Sequence, residues 1–324
     1  MSPAILVVRL GAMGDIIHAL PAVASLRRSF PDHRLHWCVA PKWMPLLTGN
    51  PSVDEVIPFT RSSFGELKVV FKQLRRLRPE RAIDFQGLIQ SAIAGRASRP
   101  QSFFGFDRHS AREPLAALFY TKKVRTTSVH VIDKNLDLAH AAGASSFTSE
   151  AFIPQGRDEG ELPTGPFVLT SPFAGWMGKQ WPLKNYELLA LRLRAEGLQL
   201  VADIPLQRAA EVAGLKHVSV HTSSLAGLIA ATRRAAAVVG LDSGPLHLAA
   251  ALRKPGVALF GPTDPARNGP YGGTIEVLRS QGIKTSYRRD HEIHPGMRAI
   301  GIDAVFEALL QSMSKRNAPL EPRS

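Results

Sequence analysis

Residues 237–265, AVVGLDSGPLHLAAALRKPGVALFGPTDP, constrain the fold of this 324-residue chain more than any other stretch. Ala236, Ala237, Val238 and Val239 form an apolar run with the character of a buried strand, and it stops at Gly240. Asp242, Ser243, Gly244 and Pro245 follow, then a helix-like run at 246–252 and a second apolar run at 257–260 that breaks at Gly261 and Pro262. Strand, polar turn, helix, strand is a βαβ unit, and such units bind ligands at their first turn. The opening N–H groups of the helix have no intrahelical partner and the macrodipole is positive there, so the turn suits a phosphate. Asp242 is placed at the carboxyl end of the strand and His247 one turn into the helix. An ordinary capped turn would use the same residues.

The rest of the chain repeats this alternation. Apolar runs at 5–10, 35–39, 56–58, 81–85 and 102–106 are separated by helical spacing at 15–28, 41–47, 65–77, 88–96 and 131–142. Residues 148–166 are rich in Pro, Gly and acids without sustained periodicity, which reads as a linker. Strand-like runs at 167–171, 198–202 and 217–220 then alternate with helical ones at 185–196, 206–213 and 225–231. The expected architecture is α/β, with two doubly wound, Rossmann-like domains at 1–158 and 165–324 facing a central cleft. A last helix at about 303–314 is placed with the second domain or back against the first, and the tail beyond it is expected to fray.

Charge narrows the partners. Forty Lys and Arg against 27 Asp and Glu give a net +13, with basic clusters at 68–81, 108–112 and 122–125. A solvated helix face accounts for the first of these taken alone. No zinc spacing, ribonucleoprotein motif or evident helix-turn-helix is present, so nucleic acid is not the expected partner. No apolar run approaches the roughly 18 residues of a membrane span, and MSPAILVVRLGAMGD, interrupted by Arg9, does not read as a signal peptide. One cysteine, Cys38, fits a reducing compartment, and the cytoplasm is the expected location.

Four further turns carry candidate chemistry. GAMGD at 11–15 ends the first strand run, with Gly14 allowing close approach and Asp15 at the helix start. Asp15 is either a helix cap or a general base for a hydroxyl. AGWMGKQWP at 174–182 presents Lys179 beside two tryptophans, either as a phosphate ligand or as a plain surface lysine. DFQGL at 84–88 offers Gln86, and GPTDP at 261–265 offers Thr263 as a phosphate donor or a turn former. Metal-ligand spacing is lacking apart from the weak HEIH at 291–294, so no metal or other cofactor is expected.

Taken in order, RLGAMGDIIHALPA, IDFQGL, AREPLAALFY, GKQWP, LDSGPLHLAAAL and FGPTDP resemble glycosyltransferase family nine, the bacterial ADP-heptose:lipopolysaccharide heptosyltransferases. AREPLAALFY is most similar to the branch that adds the first heptose. The resemblance implies a GT-B fold with acceptor in the first domain and sugar nucleotide in the second. It also implies inverting, metal-independent transfer of L-glycero-D-manno-heptose from ADP-heptose to Kdo of the lipopolysaccharide inner core. The acceptor would be Kdo-lipid A, met peripherally on the cytoplasmic face of the inner membrane. By motif, Asp15 becomes the general base and Lys179 the stabiliser of the departing ADP. Asp242 would hold the heptose hydroxyls, and Ser243, Gly244, Pro245, Leu246 and His247, with Thr263, would take the pyrophosphate. Gly14, Arg61, Gln86 and Arg112 would face the acidic acceptor.

One position departs from the family pattern. Gln207 stands where a glutamate contacting the nucleotide ribose is usual, with Glu211 a turn later. A neutral amide bonds a ribose hydroxyl more weakly than a carboxylate does, which leaves nucleotide identity open. Another GT-B sugar transferase, a sugar-nucleotide epimerase or a non-catalytic nucleotide-sugar binder are the alternatives. Oligomeric state is not written in the sequence, and a monomer is expected.

Overall fold

The computed structural model describes residues 3–317 and divides at Pro154 and Gln155 into two compact units. The first unit runs β1 (Ala4–Val8), α1 (Met13–Ser29), β2 (Arg34–Val39), β3 (Glu55–Pro58), α2 (Phe64–Leu77), β4 (Arg81–Asp84), α3 (Ile89–Ala97), β5 (Ser102–Phe106), β6 (Lys122–Val124) and α4 (Val131–Ala141). Its six strands lie in the order β3-β2-β1-β4-β5-β6. All pairs are parallel, with Val8 opposite Cys38 on one side and Asp84 on the other. Ile5, Leu6, Val7 and Val8 are fully buried, as a central strand covered on both faces requires.

The second unit runs β7 (Phe167–Thr170), α5 (Leu183–Ala195), β8 (Gln199–Asp203), β9 (Val218–His221), α6 (Leu225–Arg234), β10 (Ala237–Leu241) and α7 (Gly244–Ala251), then β11 (Gly256–Phe260), α8 (Pro265–Asn268), β12 (Ile275–Arg279), α9 (Pro295–Arg298) and α10 (Ile302–Asn317). The strand order is β12-β11-β10-β7-β8-β9, again all parallel. Counted from its own first strand, each unit has the order 3-2-1-4-5-6. Chain direction across the sheet therefore reverses between β1 and β4, and between β7 and β10. In doubly wound sheets a ligand binds beyond the carboxyl ends of the strands at that reversal.

Local departures from the sequence pattern have simple causes. The helix expected at 41–47 is a 3₁₀ turn, Pro41–Leu46, because Pro45 lacks the N–H that would continue an α-helix. The helix expected at 206–213 is likewise a short 3₁₀ turn, Leu206–Glu211, with no buried residue to anchor a longer one. Two edge strands, β6 and β12, were hidden in the sequence. β6 lies inside the basic cluster at 122–125, and exposed lysines on an edge strand deter pairing with another chain. The final helix α10 packs on β10, β11, β12 and α5 of its own unit, while the tail after residue 317 lies outside the described residues.

Candidate active site

In the first unit the reversal point gathers Arg9, Asp15, Gln86 and Arg112. Arg9 leaves β1 buried, its side chain 4% exposed, and its Nη2 donates to Asp15 Oδ1 at 2.8 Å. Its other amino group donates to the Phe85 carbonyl at the end of β4. Burial pulls the Arg9 guanidinium below its ordinary value, and the neighbouring Asp15 carboxylate opposes that. Asp15, in the first turn of α1, also accepts from the Ala12 N–H at 3.2 Å and from Arg112 Nη1 at 3.3 Å. It thus does cap its helix, and two guanidiniums hold it at the strand end besides. Gly14 lies in that same first turn, and a Cβ on nearby Gly11 would come within 2.7 Å of the Trp43 indole nitrogen.

Gln86 ties the two central strands together, its Oε1 accepting the Leu10 N–H at 2.7 Å. Beneath it, the fully buried Asp84 accepts from the N–H of Gln86 at 2.8 Å, Ser91 Oγ at 2.8 Å and Tyr120 Oη at 2.7 Å. Burial pushes the Asp84 carboxyl up, and these donors oppose the shift. Gly87 adopts φ +67°, and its carbonyl accepts the Glu113 N–H at 2.9 Å, which docks the segment bearing Arg112 on this turn. Arg61, ahead of α2, donates to Gln90 Oε1 on α3 at 3.0 Å.

The second unit repeats the plan with a buried carboxylate. Asp242 follows β10 and is 4% exposed. Its Oδ2 accepts from Lys179 Nζ at 2.6 Å and Thr263 Oγ1 at 2.7 Å. Its Oδ1 accepts from Asn268 Nδ2 at 2.6 Å, with His247 Nε2 at 3.8 Å. Lys179 comes from a 3₁₀ turn, Met177–Lys179, after β7. Its ammonium also donates to the Asp242 carbonyl at 3.0 Å and lies 4.0 Å from the Trp176 ring centroid. Ser243 begins α7 without a side-chain cap, its hydroxyl donating instead to the Leu241 carbonyl at 3.2 Å. Gly244, Pro245, Leu246 and His247 make the first turn of α7, where backbone donors and the helix dipole favour an anion.

Three sequence-derived positions behave differently from these clusters. Gln207 is exposed on the turn after β8, where Arg208 is instead pinned to Glu211 at 2.6 and 2.7 Å and lies over the Phe173 ring. Thr263 is buried and bonded to Asp242, so the protein side of its role is to orient that carboxylate. His294 of the HEIH stretch accepts the Gly296 N–H at 3.1 Å and so caps α9. Among the described residues no group of three or more His, Cys, Asp or Glu could hold a metal ion. Arg9, Asp84 and Asn268 escaped the sequence reading as site residues. An arginine inside a buried strand run was a usable signal for Arg9; Asn268, in a polar loop, gave none.

Comparison with known proteins decides the family. The family model for glycosyltransferase family 9 (heptosyltransferase) matches residues 68–294. Lipopolysaccharide heptosyltransferase 1 of Pseudomonas aeruginosa is 31% identical over 291 residues, spanning 83% of this chain and 81% of that protein. The chain belongs to glycosyltransferase family 9. As a family 9 member it is a glycosyltransferase, and it is 29% identical over 297 residues to lipopolysaccharide heptosyltransferase 1 of Escherichia coli K12, spanning 85% of this chain and 93% of that one. The solved structure of E. coli heptosyltransferase WaaC with ADP superposes with TM-score 0.77 at 26% identity, covering 95% of this chain and 99% of that chain. E. coli ADP-heptose heptosyltransferase II shares the fold, with TM-score 0.81 at 22% identity, covering 97% and 100%. The expected fold class holds: this family 9 transferase is of the GT-B type, with two Rossmann-like α/β units.

Proposed function

We propose that this transferase moves L-glycero-D-manno-heptose from ADP-heptose to Kdo of the lipopolysaccharide inner core, with Kdo-lipid A as acceptor. The relatives named lipopolysaccharide heptosyltransferase 1 support the substrate class, and the relative solved with ADP supports the nucleotide. The observation that carries the chemistry is the buried Lys179–Asp242 pair at the N-terminus of α7, at a topological reversal point. An ammonium beside an anion-seeking helix end is what a departing nucleoside diphosphate needs.

In this reading the first unit handles the acceptor. Asp15 takes the proton from the Kdo hydroxyl, while Arg112, Arg61, Gln86 and the Gly14 backbone meet the acidic sugar. The hydroxyl oxygen bonds to the anomeric carbon as that carbon's bond to the phosphate oxygen breaks, so the configuration inverts. ADP leaves with its new charge facing Lys179, Ser243, Gly244, Leu246 and His247, and Pro245 presets the helix turn that presents those donors. Asp242, oriented by Thr263 and Asn268, accepts hydrogen bonds from heptose hydroxyls. Gln207 bonds the ribose. With a base, a cationic clamp and orientation supplied by side chains, the transfer proceeds without a metal ion. No described helix is long and apolar enough to cross a membrane, and contact with the cytoplasmic face of the inner membrane is peripheral in this reading.

Calorimetric titration with ADP, UDP and GDP, with and without magnesium, is the direct test. The expected result is selective binding of ADP that magnesium leaves unchanged. A preference for UDP or GDP would move the donor elsewhere and single out Gln207.

A further inference from the structure

One face of the first sheet is covered by α2, α3 and the 3₁₀ turn Pro114–Phe119, packed in that order. The helix α2 turns Val70 and Leu74 into the core. At 100° per residue its opposite side is therefore Lys68, Val69, Lys72, Arg75 and Arg76, with Phe64 on the flank. Phe64 is 73% exposed and Val69 66%, while on the 3₁₀ turn Leu115 is 61% and Leu118 74% exposed. Exposed apolar residues scattered singly are unremarkable, but large ones concentrated on one outer layer mark a contact surface.

The charge around them says what kind of contact. The helix α2 carries four cations against Glu66 alone. Glu66 is held by the Ser62 N–H at 3.2 Å, and Glu113, at the head of the 3₁₀ turn, by the Ile89 N–H at 2.7 Å. Exposed Lys122 and Lys123 of β6 extend the positive edge. At the end of α2 an open groove of about 840 Å³ is lined by Arg75, Arg76 and Arg78, with Glu80 as its one acid. Lys68 Nζ lies 4.5 Å from the Phe64 ring centroid, and apolar tips sharing a layer with long cationic side chains match a surface with phosphates outside and hydrocarbon beneath.

We propose that this layer docks the first unit on an anionic lipid bilayer. Phe64, Val69, Leu115 and Leu118 enter the interface, and Lys68, Lys72, Arg75 and Arg76 meet lipid phosphates. The purpose of the docking rests on the lipid-linked acceptor proposed above; the docking itself does not, and the two are tested separately.

The full-length protein is floated with vesicles of phosphatidylcholine alone or with roughly one-third phosphatidylglycerol added to give an anionic surface. Binding is expected only to the anionic vesicles and should weaken with salt. Each cation near such a surface contributes roughly fivefold in partitioning, so Lys68→Gln with Lys72→Gln should weaken binding about twentyfold. Phe64→Ser with Leu118→Ser should weaken it at least about tenfold by removing buried apolar area. ADP affinity, and heptose transfer to a lipid-free Kdo acceptor, should remain as in the unaltered protein for both pairs. Equal binding to neutral vesicles, no binding to either, or unchanged binding by both double variants overturns the docking surface. Normal docking without transfer to the lipid-free acceptor would instead overturn the heptose reading and leave the surface standing.

Discussion

The two reversal points share strand order and placement of an aspartate beside a cation, yet they treat the carboxylate in opposite ways. Asp15 keeps 30% of its side chain exposed and leans on Arg9 and Arg112. Asp242 keeps 4% and is bonded by Lys179, Thr263 and Asn268. A group that must accept a proton from a substrate hydroxyl has to be within that hydroxyl's reach, and Asp15 is partly exposed. A group that must hold sugar hydroxyls in place benefits from fixed orientation, which buried donors on both oxygens provide. The difference also divides the energetics: water screens part of the Asp15 pairing, whereas Lys179 and Asp242 were both desolvated and depend on each other.

The largest expected effect would break the first half of this contrast. Asp15→Asn should lower turnover about 100-fold or more while ADP affinity in the second unit stays the same. Titration and steady-state kinetics check both parts, and unchanged turnover would reduce Asp15 to the helix cap that it also is. The buried half is probed by Asp242→Ala, which strands the Lys179 ammonium without its counter-ion. Denaturant unfolding should then lose about 3 kcal/mol, the scale of a broken buried pair. A loss no larger than that of a surface mutation would mean that the Lys179–Asp242 contact is incidental.

A smaller effect sharpens the division of labour. Arg112→Ala should raise the acceptor KM about tenfold, the scale of one charge-assisted contact, and leave ADP affinity alone. Weakened ADP binding would place Arg112 on the donor. The smallest expected effect lies away from both reversal points. His221 is fully buried, with Nδ1 2.8 Å from Asp203 Oδ1 and Nε2 2.7 Å from the Glu159 carbonyl. The hydrogen bond to Asp203 raises its imidazolium above the ordinary value. A raised value in the folded state stabilises fully below the unfolded value of about 6.5 and is lost as pH rises through the folded one. Stability to thermal unfolding should therefore decline slightly from about pH 6.5 upward, and His221→Asn should flatten that slope. A wild-type curve level across that range would sink the idea.

Much of the frame was legible in the residues. Runs such as ILVV and AVVGL are buried on both faces of a parallel sheet, so they read as continuous apolar strands without any tertiary information. Glycine and proline punctuated the turns, which is why Asp15, Gln86, Lys179 and Asp242 could be placed at strand ends. The short edge strands β6 and β12 were not legible, because KKV and IEVLR carry as much charge as a loop.

What the sequence determined by itself was local: periodicity, capping and turn chemistry act over a few residues and are written in consecutive letters. What only the tertiary structure decided was which distant side chains share a carboxylate. Asn268 reaches Asp242 across 26 residues, and Arg112 reaches Asp15 across 97. Arg9 shows the same limit, since only the fold reveals that a charge inside an apolar run is matched by Asp15 and the end of β4. Such pairings follow from strand order, and strand order is set by burying the whole sheet at once, a sum over contacts that no short window of residues contains.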